Sequence, residues 1–125
     1  MEITISNADA EKRILELMNV IKGDTMLPVI IGYKINSNIC ALEKVLEPFN
    51  RTRDKIINDI SGGKPCINAN DNPKQFEQAS QKINEIASET VRVEIKTITL
   101  NEISSLSLPI NILSALYFMI KEEEN

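Results

Sequence analysis

Residues 28–60, PVIIGYKINSNICALEKVLEPFNRTRDKIINDI, decide how the chain must be read. Apolar side chains recur at Ile35, Ile39, Leu42, Leu46 and Phe49, and again at Ile56 and Ile60, with Arg53 at the position between. The steps alternate four and three, the spacing that lines one helix face, so the stretch predicts a helix of roughly 30 residues and about 45 Å. Pro28 suits its first turn. Two residues disturb the pattern. Pro48 has no N–H to give the carbonyl of Lys44 and crowds it, so the helix either kinks or ends there. The heptad phase passes Pro48 without a slip, which favours a kink. Arg53 brings a guanidinium that never loses its charge onto an apolar seam.

Working outward, SGGKPCINANDNP (61–73) is a turn-forming run that reverses the chain. After it, Phe76, Ala79, Ile83 and Ile86 predict a shorter helix returning along the long one. Upstream, Ile3 and Ile5 alternate with polar residues, and Ser6 precedes an amphipathic set at Ala10, Ile14, Leu17, Met18 and Ile21 that stops at Gly23. That is a short strand and a capped helix. Downstream, Val91, Val93 and Ile95 alternate with Arg92, Glu94 and Lys96, a strand with one face covered, and the N-terminal strand is its natural partner. Thr99 and Glu102 form a capping-box pair, and Pro109 opens a last helix with Leu113, Leu116, Tyr117 and Ile120 as its expected buried stripe. The expected class is α+β: a two-stranded antiparallel ribbon (the N-terminal strand with one near 90–98) packed with helices, plus a long antiparallel helical hairpin. One domain over 1–125 is expected, with the hairpin of about 28–88 projecting from a core of 1–27 and 89–121. A two-stranded ribbon is marginal by itself, which favours a homo-oligomer.

A chain of 125 residues can bury a core without a disulfide or a metal. Cys40 and Cys66 have no CxxC spacing and the chain has no histidine, which removes most zinc and copper sites, and no cofactor is expected. Cys40, between Ile39 and Ala41, reads as a small buried hydrophobe. The polar start MEITISNADAEKR does not read as a signal peptide, and no apolar run approaches the roughly 18 residues of a membrane span. The bounds favour the cytoplasm and no membrane partner. A net charge of -4 with the acidic end KEEEN disfavours general nucleic-acid binding. No phosphate loop, dinucleotide fingerprint or nucleophile elbow is present, and Glu43 and Glu47 read as a solvated ion-pair face with Lys44, so the chain is not expected to be an enzyme.

The remaining chemistry lies in RTRDK (51–55). Arg53 has three readings: its head snorkels to water, it fixes register on the seam, or it holds an anion with Arg51 and Lys55 beside it. Two arginines two residues apart point about 200° apart on a helix, so one copy cannot aim both at one phosphate, whereas two copies can. The candidate ligand-binding set is Arg53, Arg51, Lys55, Asn50 and Tyr33.

LPVIIGYKINSNICALEKVLEPFNRTRDKII together with VRVEIKTITLNEISSLSLPINILSALYFMI resembles a family of small, functionally uncharacterised proteins encoded by bacteriophages and prophages of low-GC Gram-positive bacteria. The residues that carry the resemblance are Leu27, Pro28 and Val29, Tyr33 and Lys34, Asn38, Ala41, Leu42 and Glu43, Arg53 and Lys55, the strand Val91 to Ile98, and Phe118, Met119 and Ile120. The resemblance implies a phage accessory protein made in the cytoplasm of the bacterial host. By analogy with such proteins it implies a homo-oligomer that counters host defence by sequestering an anionic nucleotide signal. The alternative it implies is a structural protein, adapter or host-protein inhibitor that works through the helical hairpin.

Overall fold

The computed structural model describes residues 1–121, and the acidic tail 122–125 lies outside them. The fold is α+β. In chain order it comprises β1 (Glu2–Ser6), α1 (Asn7–Lys22), α2 (Val29–Val45), α3 (Glu47–Ser61), α4 (Pro73–Ala87), β2 (Thr90–Glu94), β3 (Ile98–Thr99), α5 (Leu100–Ser104), α6 (Ile110–Leu116), a 3₁₀ turn (Tyr117–Met119) and β4 (Ile120–Lys121). The ribbon is β1 against β2, antiparallel, with Ile3 opposite Val93 and Ile5 opposite Val91. This apolar side faces the core, while Glu2, Thr4, Arg92 and Glu94 face out.

Local chemistry sets the ends of the elements. Ser6 caps α1 by accepting from the Asp9 N–H at 3.1 Å, and Gly23 closes it. Asn7 ties the start of α1 to the end of α4, since its N–H donates to Glu89 O and its Nδ2 to Ile86 O, each at 2.9 Å. Thr99 and Glu102 make the expected capping box at α5. Gly62 ends α3 at φ 75°, a left-handed conformation that glycine adopts without a steric cost.

The long helical run is divided rather than unbroken. Leu46 stands alone between α2 and α3 at φ -86°, ψ -7°. The helical path still carries through it: Leu46 N–H donates to Leu42 O at 3.2 Å and Asn50 N–H to Leu46 O at 2.9 Å. Pro48 thereby falls in the first turn of α3, where a missing donor costs nothing. The seam from Ile35 to Phe49 is buried, and it is used within the chain, against Leu17, Val20, Val93, Ile98, Leu116 and Met119 in one core cluster. α1 packs along α2, and α4 returns along α3.

Three expectations are corrected. The strand near 90–98 stops at Glu94, and β3 is a separate pair that runs parallel to β4, with Ile98 opposite Ile120. The last helix ends at Leu116, and its buried side is Ile112, Ala115, Leu116 and Met119, with Leu113 and Tyr117 exposed. The stripe is turned by about one residue because the chain must leave the helix to reach β3. Cys40 is exposed: the core side of α2 is Ile31, Ile35, Asn38, Ile39 and Leu42, and Cys40 stands about 100° beyond Ile39.

The break in the strand has a visible partner. Asn38 is 1% exposed, accepts from the Lys96 N–H at 2.7 Å through Oδ1, and donates to the Lys96 carbonyl at 2.9 Å through Nδ2. Replacing it with leucine fills the volume but leaves both backbone groups of Lys96 unpaired. Asn38→Leu is expected to cost about 2–4 kcal/mol in urea unfolding; a loss below about 0.5 kcal/mol would show that water replaces the amide freely.

Candidate functional site

Arg53 lies at the edge of the core with its charge already matched. Its Nη1 donates to the Glu11 carboxylate at 2.9 Å, its Nη2 donates to Asn50 Oδ1 at 3.0 Å, and the guanidinium stands 5.3 Å over the Phe49 ring. Phe49 is the last fully buried residue of α3, so the seam runs out of core where the arginine appears. The side chain uses both halves of its chemistry here. Its stem and planar face cover Phe49, and its fork points outward to α1 and Asn50. With side-chain exposures of 32% for Arg53 and 45% for Glu11, the pair is partly solvated.

The other sequence-derived residues divide. Asn50 joins Arg53 as an acceptor. Arg51 and Lys55 are exposed, four residues apart on one side of α3. Tyr33 lies apart, 17 residues before Asn50 in the chain and roughly four to five helical turns away. Its ring is half exposed, and the Lys96 ammonium stands 5.8 Å from its centroid. One copy of the chain therefore gathers Arg53 with Asn50 and leaves Tyr33 elsewhere. Glu11 is the residue that sequence reasoning missed, because nothing in a single sequence links position 11 on α1 to position 53.

A second cluster sits on the opposite part of the chain. Lys34 on α2 pairs with Glu102 on α5 at 3.3 Å. The Thr99 backbone N–H, with help from Lys34, holds the Glu102 carboxyl below its ordinary range against the opposing effect of burial. The tie is present at neutral pH and is lost as acid protonates Glu102 through that lowered value.

Beyond Phe49 the hairpin of α3 and α4 has little interior. Ile56, Ile57, Ile60, Ile67, Ile83 and Ile86 are half-buried, Phe76 is 44% exposed, and Ala79 is the one buried residue of α4. Two helices alone offer each apolar stripe a single neighbour, so the layer stays thin. Among the described residues no helix is long and apolar enough to cross a membrane, and no three histidine, cysteine or acidic side chains gather where they could hold a metal ion. No protein-family model matches the chain, and neither a curated protein nor a solved structure matches it.

The Arg53–Glu11 contact is open to a double-mutant cycle. Arg53→Met should cost about 1 kcal/mol, with a coupling to Glu11→Gln of about 0.5 kcal/mol that shrinks in high salt. Zero coupling in low salt would mean that the guanidinium is available to an external anion.

Proposed function

We propose that this chain is a non-enzymatic interaction protein of the phage accessory type, acting in the cytoplasm of a bacterial host as an adapter or inhibitor that grips another protein along the α3–α4 hairpin. The observation that carries the reading is the unfinished burial of that hairpin. Its isoleucines and Phe76 form an apolar layer that a third element would complete, and mixed charges border the layer: Arg51, Asp54, Lys55 and Asp59 on α3, Lys74, Glu77, Lys82 and Glu85 on α4. An apolar strip with a charged rim is how protein partners are bound and selected. The engagement of Arg53 by Glu11 supports the same choice, since the arginine expected to hold an anion already has one.

Sequestration of an anionic nucleotide is the second reading, and one feature favours it. Arg51 and Lys55 are exposed on one side of α3 with no ion-pair partner among the described residues. A two-fold or higher axis would bring copies of them together around a phosphate.

A photo-crosslinking residue at position 76 or 57, compared with one at exposed Arg92, tests the hairpin in bacterial cells. The expected result is one discrete adduct to a different protein from the hairpin positions, suppressed by Ile57→Asp elsewhere in the same chain when the crosslinker is at 76. Equal labelling from position 92 would contradict the reading. Calorimetric titration with cyclic and linear nucleotides decides the alternative: binding abolished by Arg51→Leu would replace the adapter by a sponge.

A further inference from the structure

The ribbon has one bordered edge and one open edge, and the phase of its ladder shows which backbone groups are left over. Ile95 N–H donates to Met1 O at one end of the ladder and Asn7 N–H to Glu89 O at the other, each at 2.9 Å. With Ile3 opposite Val93 and Ile5 opposite Val91 between them, the odd-numbered residues of β1 exchange their hydrogen bonds with β2. The N–H and carbonyl of Glu2 and Thr4, and the N–H of Ser6, therefore point away from β2. On the far side of β2 the same alternation delivers Lys96 to the Asn38 amide, so α2 borders that edge. Nothing comparable borders β1. It packs mainly against β2 and α1, and among the described residues no hydrogen bond takes the backbone of Glu2 or Thr4 to an element other than β2.

Side-chain burial falls off in the same direction. Val93 is 4% exposed, whereas Ile3 directly across from it is only half-buried, and so is Ile5. The apolar layer under the ribbon thins out where the backbone groups are free. Edge strands are commonly protected by a lysine, a proline or a bulge that blocks the approach of another strand. β1 has none of these: EITIS contains no Lys, Pro or Gly, and its five residues pair with β2 in unbroken register. Such a row of donors and acceptors, with half-covered isoleucines beside it, is completed by an extended strand.

We infer that β1 pairs antiparallel with β1 of a second copy of the chain about a two-fold axis at Thr4, joining the two ribbons into one continuous sheet. Two demands on the incoming strand select this occupant. It must set apolar side chains beside Ile3 and Ile5, and it must keep carboxylates away from Glu2, which already faces Glu94 across the ribbon. A copy of β1 reversed about Thr4 meets both. Ile3 then lies opposite the second copy's Ile5 on the core side, Thr4 opposite Thr4, and Glu2 opposite neutral Ser6, with the two Glu2 carboxylates at opposite ends of the contact. The leftover backbone groups also match: the pairing makes roughly four main-chain hydrogen bonds, exchanged between the two Thr4 residues and donated by each Ser6 N–H to the other copy's Glu2 carbonyl. A two-stranded ribbon is marginal by itself, and the pairing doubles it. No residue of the α3–α4 hairpin is used, so this contact and the adapter reading stand or fall separately.

Sedimentation equilibrium, with circular dichroism to confirm folding, tests the pairing. The wild-type chain should reach twice its 14.0 kDa mass at about a hundred micromolar and dissociate on dilution. Thr4→Lys and Thr4→Glu should each stay folded, since Thr4 is exposed, and should each weaken association at least tenfold by setting like charges opposite one another at the axis. Mixed in equal amounts at low salt, the two variants should associate again as a dimer with one of each, which only a contact where position 4 meets itself allows. Thr4→Pro should also weaken association at least tenfold while the single chain keeps its ladder, because the deleted N–H points away from β2. Phe76→Asp on the hairpin should leave the dimer intact. A wild-type chain that stays monomeric at about a hundred micromolar overturns the inference and leaves the edge to a strand of another protein. A dimer that persists in Thr4→Lys, or that the lysine and glutamate variants together fail to restore, overturns it too.

Discussion

Lys96 lies between the two short pairs of strands, and its N–H and carbonyl would both be stranded there without the amide of Asn38, which accepts from the first at 2.7 Å and donates to the second at 2.9 Å. The side chain of a helix residue thus stands in for a neighbouring strand at the point where β1 has run out of residues to pair. Nδ2 also reaches Met119 Sδ at 3.5 Å, so the contact touches α2, the 95–97 crossing and the C-terminal turn together. Around it the other long-range ties fall into place: β3 starts two residues later, α5 is capped and held to Lys34, and the Lys96 side chain is delivered over Tyr33. A buried polar group of this kind is costly unless fully matched, and here the matching fixes one alignment of sheet and helix over its neighbours.

The same logic of matching separates the two ends of the long helical run. In α2 one side chain in three or four finds the core, and the first turns leave Val29, Ile30 and Tyr33 exposed. In α3 the core ends at Phe49, Arg53 closes it with a stacked guanidinium paired to α1, and the rest of the helix adds only a thin layer against α4. The chain therefore presents two distinct unfinished surfaces. One is the exposed start of α2 at Val29, Ile30 and Tyr33; the other, on the α3–α4 hairpin, is rimmed by both signs of charge. The unfinished hairpin is the basis of the functional proposal.

Much of the fold is legible in the sequence because the signals are local. Ser6, Gly23, Thr99 with Glu102, and the alternation in β1 and β2 act within a few residues, and the structure places each where the sequence puts it. The seam from Ile35 to Phe49 is legible too, but periodicity shows only that a face is buried and not what buries it; the partner is the chain's own core. The illegible features are non-local. The parallel pairing of Ile98 with Ile120 shortens the last helix and turns its stripe, so that Leu113 and Tyr117 face outward. Arg53 stands out in the sequence as an anomaly, while its partner Glu11 sits 42 residues away with nothing in the sequence to announce it.

Asn38 holds both backbone groups of Lys96 from its buried side, and amide hydrogen exchange at that one residue tests this central claim most directly. Lys96 belongs to no helix or strand and its side chain is exposed, so an open loop would let its amide exchange as fast as that of exposed Cys66 in the loop after α3. The Lys96 amide is expected instead to exchange as slowly as the amides of β2, and Asn38→Ser should release it selectively. Exchange of the wild-type Lys96 amide at the rate of the Cys66 amide would contradict the claim.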